Sequence, residues 1–242
     1  MTPESTVIGY VEDPVSNVLK WILLAVGILT FAVLAWTVKL TYQEAPPFPD
    51  RFVTHDGAIL MTASDIQAGK AGFQKADLMD YGSLYGMGSY FGEDYTAANL
   101  VRLATLTQDN IAQSTTGKAL SQLTAEQQAS VKAVMQTELR SIDLTQKSAV
   151  IAQPVADAIT TLRATIAQSL LHHDFAKGWT QAYSLDEASA GQTAEFLLYS
   201  SLTTVARRPG TEASWTQNWP FEPLVGNTPT TSTFHWTWIS FC

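Results

Sequence analysis

Apolar residues in this chain fall into one unbroken block and a series of shorter, spaced sets. The block is Trp21–Val38, WILLAVGILTFAVLAWTV, bounded by Lys20 and Lys39 and free of charge and proline. A helix rises about 1.5 Å per residue, so this run, extended by Leu40 and Tyr42, approaches the roughly 30 Å of a bilayer's hydrocarbon core. Trp21, Trp36 and Tyr42 stand near its ends, where amphipathic rings favour the interface, and the two lysines can snorkel to water. The pattern predicts a transmembrane helix over 19–42, preceded by a tail over 1–18. A cleaved signal peptide is the competing reading. Against it, the run exceeds the roughly 7–15 residues of a signal core, and the leader Met1–Asn17 is acidic rather than basic. With one lysine on each side, charge alone does not fix the orientation.

Beyond the block the spacing changes. Residues 43–56 form a connector with Pro46, Pro47 and Pro49, which favour extended chain. From 57 to about 205 the pattern reads mostly as helices. Thr62-Ala-Ser-Asp65 opens one through about Lys75, with Ile66, Gly69 and Phe73 on one face. Thr96–Gln113 is a second. Thr124-Ala-Glu-Gln127 is a capping box for a third, whose apolar face is Val131, Val134, Met135, Leu139 and Ile142. Pro154 stands near the start of a fourth, through about His172, and Glu187–Ala206 is the last. Arg207-Arg208-Pro209-Gly210 ends that helix, so a helical domain is expected over 57–210, then a turn-rich segment over 211–233. Residues 234–242, FHWTWISFC, read as the start of a second transmembrane helix cut short, or as an aromatic tail packed on the domain. The expected fold class is therefore mainly α.

Composition sharpens this picture. Only 15% of the 242 residues are charged, against roughly 25% in soluble chains, which agrees with a segment in lipid. The formal charge of −8 argues against nucleic acid as a partner, since a binder needs a basic face. Cys242, the single cysteine, excludes an internal disulfide framework and a cysteine-rich metal site within this chain. His172-His173 is better read as a solvated helix end than as a metal site, because adjacent helical residues point about 100° apart. His235, beside Trp236, reads as interfacial. Glu93-Asp94 precedes a helix and reads as a charge pair at its N-terminus rather than an acid–base dyad. No nucleophile elbow, Walker loop, dinucleotide fingerprint or HExxH occurs, and no catalytic residue can be named.

One stretch stands apart: LMDYGSLYGMGSYFGEDY, Leu78–Tyr95, with Gly82, Gly86, Gly88 and Gly92 among Tyr81, Tyr85, Tyr90 and Tyr95. Glycine permits close approach and positive φ, and tyrosine buries area while keeping a polar tip. Such a loop suits a flat partner, or a tight connector inside the domain.

The same stretch, continued as TAANL, resembles quinol-dependent nitric oxide reductases of the single-chain type. So do TYQEAPPFPDRFV after the apolar block and RRPG…NWPFEPLVGNTPTTST towards the end. The three blocks occur in the family's order. The resemblance implies a membrane anchor, a periplasmic cytochrome c-like domain over 57–210 without haem, and then a large membrane domain. That domain carries haem b, haem b3 and a non-haem iron, and reduces two NO to N2O and water with quinol electrons. The family lies in the bacterial inner membrane. Aligned through Gly86-x-Gly88-x-Tyr90, the haem c attachment pattern falls on Leu78, Tyr81 and Gly82, so no cofactor is expected in this chain. The resemblance also places the Gly88 carbonyl and Tyr90 beside a calcium ion.

Further expectations follow from the resemblance. The chain carries no covalent haem and has no nitric oxide reductase activity alone. Its partners are the lipid bilayer and the missing catalytic domain, with quinol and NO met only through the full enzyme. Gly82–Tyr95 and Trp215–Thr230 form a docking underside, with Gly86, Gly88, Tyr90, Trp219 and Pro220 at the interface. Gly88→Val weakens docking while leaving the isolated domain's melting temperature little changed. The rival is a stand-alone membrane-anchored interaction domain without catalysis.

Overall fold

The computed structural model describes residues 15–241 and divides into two units, Met1–Ala45 and Pro46–Cys242. Most of the expected tail over 1–18, and Cys242, lie outside the described residues.

In the first unit the described residues form one helix, α1 (Asn17–Glu44), about 42 Å long at 1.5 Å per residue. Ser16 caps its start, its hydroxyl oxygen accepting from the Leu19 amide at 3.2 Å. Extended backbone at Ala45, with Pro46 and Pro47 next, stops it. Its side chains are apolar on all faces and none is buried, and it is long and apolar enough to cross a membrane.

The second unit is helical around a small sheet that the spacing did not predict. Strand β1 (Arg51–Thr54) is central, antiparallel to β2 (Ile59–Thr62) and parallel to β5 (Ser148–Ile151). Phe52 pairs with Met61 on one side and Ala149 on the other, and all three are buried. Four-residue strands give the alternation too few periods to stand out in sequence. The connector over 43–56 thus contains a strand, and the stretch from 57 onward is not purely helical.

Helices α2 (Ala63–Lys75), α3 (Tyr95–Thr116), α4 (Ala125–Arg140), α5 (Gln153–Leu171) and α6 (Glu187–Thr203) follow. Thr62 caps α2, and Thr124 and Gln127 close the full capping box of α4. Val131, Met135 and Leu139 are buried as expected, but Val134 is 42% exposed. It lies on the flank of the apolar stripe, which Ile142 continues past the helix end.

Helix α6 is the centre. From Thr193 to Thr203 every side chain is buried, so no amphipathic pattern marks it. Its hydroxyls are satisfied locally or across helices: Thr193 donates to the Ser189 carbonyl (2.7 Å), Ser200 to Leu197 (2.7 Å), and Ser201 to Thr96 on α3 (2.9 Å). It crosses α2 at Gly69, where an added Cβ would lie 1.8 Å from the Gln192 carbonyl oxygen. Only glycine allows that approach. Helix α6 ends at Thr203, before the expected Ala206.

The segment after it is pinned by polar anchors. Asn227 donates to the Thr204 carbonyl (2.9 Å), Gln136 to Leu224 (2.8 Å) and Arg140 to Gly226 (2.8 Å). A last helix, α7 (Thr231–Phe241), carries exposed Phe234, His235 and Trp238, so these rings do not pack on the domain. Its eleven residues are about half of a membrane span.

Candidate functional site

The Gly/Tyr stretch folds back on the N-terminus of α3. A short 3-10 turn, Leu78–Asp80, leads into a hairpin of β3 (Ser83–Leu84) and β4 (Met87–Gly88). Its two turn residues, Tyr85 and Gly86, both have positive φ, 55° and 75°, as a type I′ turn requires. Tyrosine accepts this geometry because it is held at both ends. Its amide donates to Thr96 Oγ1 (3.1 Å) and its hydroxyl meets Thr203 Oγ1 (3.0 Å). Burial pushes the Tyr85 phenol up to about 12, so it stays a neutral hydrogen-bonding group.

Asp94 is the clasp. One carboxylate oxygen caps α3, accepting from the Ala97 amide at 2.8 Å. The other accepts from the Ser83 hydroxyl (2.8 Å) and the Gly86 amide (2.7 Å). Glu93 turns away and pairs with Arg102 at 2.9 Å. The two carboxylates therefore have separate structural tasks at the helix start, and Asp94 reaches further into the loop than the sequence indicated.

The two segments expected to form one face do meet. A Cβ on Gly86 would lie 3.3 Å from the Trp219 ring. On these two segments four large side chains are exposed: Tyr90 is 96% exposed, Met87 65%, Phe91 63% and Phe221 66%. Trp219 and Pro220 are half-buried. Gly88 is different. With φ of 133°, its Cβ would stand 2.6 Å from the Gly82 carbonyl oxygen and 3.0 Å from the Ser83 Cα. A side chain there distorts the hairpin itself, so the expectation that Gly88→Val spares the isolated domain is corrected: the position serves the loop's own packing.

The three positions aligned with haem attachment are packed by protein. Leu78 is fully buried, and its carbonyl accepts from the Tyr95 hydroxyl at 3.0 Å. A Cβ on Gly82 would strike the Tyr95 ring at 2.5 Å. Tyr81 lies 6.5 Å from Tyr183, ring to ring. Tyr95 meets Phe73 edge-on (6.1 Å) and Phe175 (5.1 Å), and burial raises its phenol well above the ordinary range. What remains is a cleft of about 260 Å³ beside the Glu93–Arg102 pair. At these positions, which the resemblance aligns with haem attachment, none of the three side chains is a thiol or an imidazole, and an aromatic cluster packs beside them.

A family model of the cytochrome c-like domain of NorB, a nitric oxide reductase component, matches residues 49–221, more than two thirds of the chain. The chain belongs to this family. No curated protein matches it significantly. The matched span of this reductase domain runs from the start of the sheet, through the hairpin and α6, to Phe221, and so includes both halves of the exposed face.

The remaining candidates stay dispersed. His172 terminates α5, and His173, at positive φ, packs on Trp179 with ring centroids 5.0 Å apart. Among the described residues no group of three or more His, Cys, Asp or Glu side chains is placed to hold a metal ion. The Gly88 carbonyl and Tyr90 hydroxyl amount to two oxygens, whereas calcium takes 6–8.

Proposed function

We propose that this chain is the N-terminal part of a quinol-dependent nitric oxide reductase of the single-chain type. In this reading α1 anchors the chain in the bacterial inner membrane. The haem-free cytochrome c-like domain stands in the periplasm and docks on the catalytic membrane domain. There haem b, haem b3 and the non-haem iron supply the chemistry of 2 NO, two electrons and two protons to N2O and water. This chain contributes shape rather than catalysis. Gly86, Gly88, Tyr90, Trp219 and Pro220 form or brace the docking face, and any calcium at Gly88 and Tyr90 takes most of its oxygens from the partner.

The observation that carries the reading is exposure on two segments that meet. Met87, Tyr90, Phe91 and Phe221 are large apolar groups left in solvent on the segments that come together where Gly86 approaches Trp219. Ordinary surfaces scatter such residues singly, so four of them on two segments that meet favour an interaction site. The test is site-specific photocrosslinking from position 90 in membranes containing the full-length reductase. Crosslinks to loops of the catalytic domain are expected. Crosslinks confined to the domain's own residues would refute docking and favour the stand-alone anchored domain.

A further inference from the structure

One buried carboxylate, Glu195, is not among the residues of the proposed docking face. Glu195 sits mid-way along α6 with its side chain 9% exposed, bonded through Oε1 to Arg163 Nη1 on α5 at 2.7 Å. Its second oxygen, Oε2, is buried and has no donor among the described residues. The same Arg163 nitrogen donates to the Leu60 carbonyl on β2 at 3.2 Å, so one guanidinium ties α5, α6 and the sheet together. Arg163 is itself 42% exposed and can leave for water. Across from it on α2 is Asp65, held by Thr62 and by Gln192 Nε2 at 3.2 Å. Among the described residues, the charged groups acting on Glu195 are Arg163 from α5 and Asp65 from α2; β2 faces the pair with the Leu60 carbonyl, and α3 with no charge.

We propose that Glu195 and Arg163 form a proton-operated latch inside the domain, closed while the carboxylate is charged and released when it binds a proton. The charged state is poorly supported: a desolvated oxygen with no donor raises its cost, and Asp65 places a second negative charge nearby. Among the described residues Arg163 is the group that offsets this. Once the acid is neutral, the guanidinium loses its main reason to stay and keeps only the Leu60 carbonyl and solvent. Burial pushes the carboxyl up to about 7, against the pull of Arg163 and with the push of Asp65. The sign follows from linkage. The folded state holds this proton more tightly than the unfolded chain, so the contribution to stability is best below the unfolded carboxyl value near 4.5. It is lost as the pH rises to about 7 and is flat above. The latch therefore closes at the expense of stability, over the range in which neutral and mildly acidic surroundings differ. It is independent of the docking reading.

The test is a carboxyl 13C NMR titration of the full chain in detergent micelles, with guanidinium proton exchange of Arg163 followed in parallel. One glutamate resonance should titrate near pH 7 and be missing from Glu195→Gln, and Arg163 exchange, taken relative to free arginine at the same pH, should quicken as that group protonates. Arg163→Gln should move the same midpoint upward by about one pH unit or more. That shift identifies the resonance even where Glu195→Gln fails to fold. Titration of every glutamate near the ordinary value of about 4.3, or Arg163 exchange unrelated to the midpoint, would overturn the latch.

Discussion

Two aromatic-rich regions of this domain use similar residues in opposite ways. Around α6, Phe52, Phe73, Tyr95, Phe196 and Tyr199 are buried and pack edge-on or tilted, as in Phe52 on Tyr199 at 6.3 Å. On the hairpin and the segment that meets it, Met87, Tyr90, Phe91 and Phe221 are exposed. The difference lies in the backbone. Inside, long helices bring rings together by burial, a non-directional force. Outside, a type I′ turn and a carboxylate clasp fix the hairpin, and large apolar side chains on it and after it stay in water despite the hydrophobic effect. In the proposed docking, these exposed groups are the ones a partner covers.

Variants separate the two regions. The largest effect is expected at the helix crossing: Gly69→Val drives a side chain into the Gln192 backbone, which cannot yield as a flexible side chain would. A loss of about 3 kcal/mol or more is expected in urea unfolding. Gly88→Val comes next, at about 2 kcal/mol, from positive φ and the clash with Gly82. A melting temperature equal to wild type would show that the hairpin is looser than described. Asp94→Ala removes the α3 cap and both loop bonds, and should cost about 1–2 kcal/mol. Hydrogen exchange at the Gly86 amide should rise in this variant; unchanged protection there would show that the clasp does not hold the turn.

The same contrast explains what the sequence revealed. Helices with one exposed side, α2 and α4, carried readable stripes and caps at Thr62 and Thr124. Helix α5 announced itself through Pro154 in its first turn. Helix α6 was legible as a helix but not as the centre, because Ser200, Ser201, Thr203 and Thr204 look like a polar face and are buried. The sheet was hidden because β1 and β5 are 97 residues apart at Arg51 and Ser148, and a parallel pairing of four residues leaves no local mark. Composition, connectivity and the resemblance grouped Gly82–Tyr95 with Trp215–Thr230 as a docking underside; the fold brings Gly86 to Trp219, which bears on their nearness and not on docking. The roles of Asp94 and Gly88 within the loop were not legible, since hydrogen-bond targets and close approaches arise only in the folded backbone.

The smallest expected effect on stability is also the most telling. Tyr90→Glu with Met87→Glu touches two side chains that are mostly in water, so the domain's own unfolding should change by no more than about 0.5 kcal/mol. In the full-length reductase the same pair places two charges on the proposed docking face. Quinol-driven N2O production should be lost while the isolated domain melts as wild type does. Wild-type turnover by this double variant in membranes would contradict the docking account.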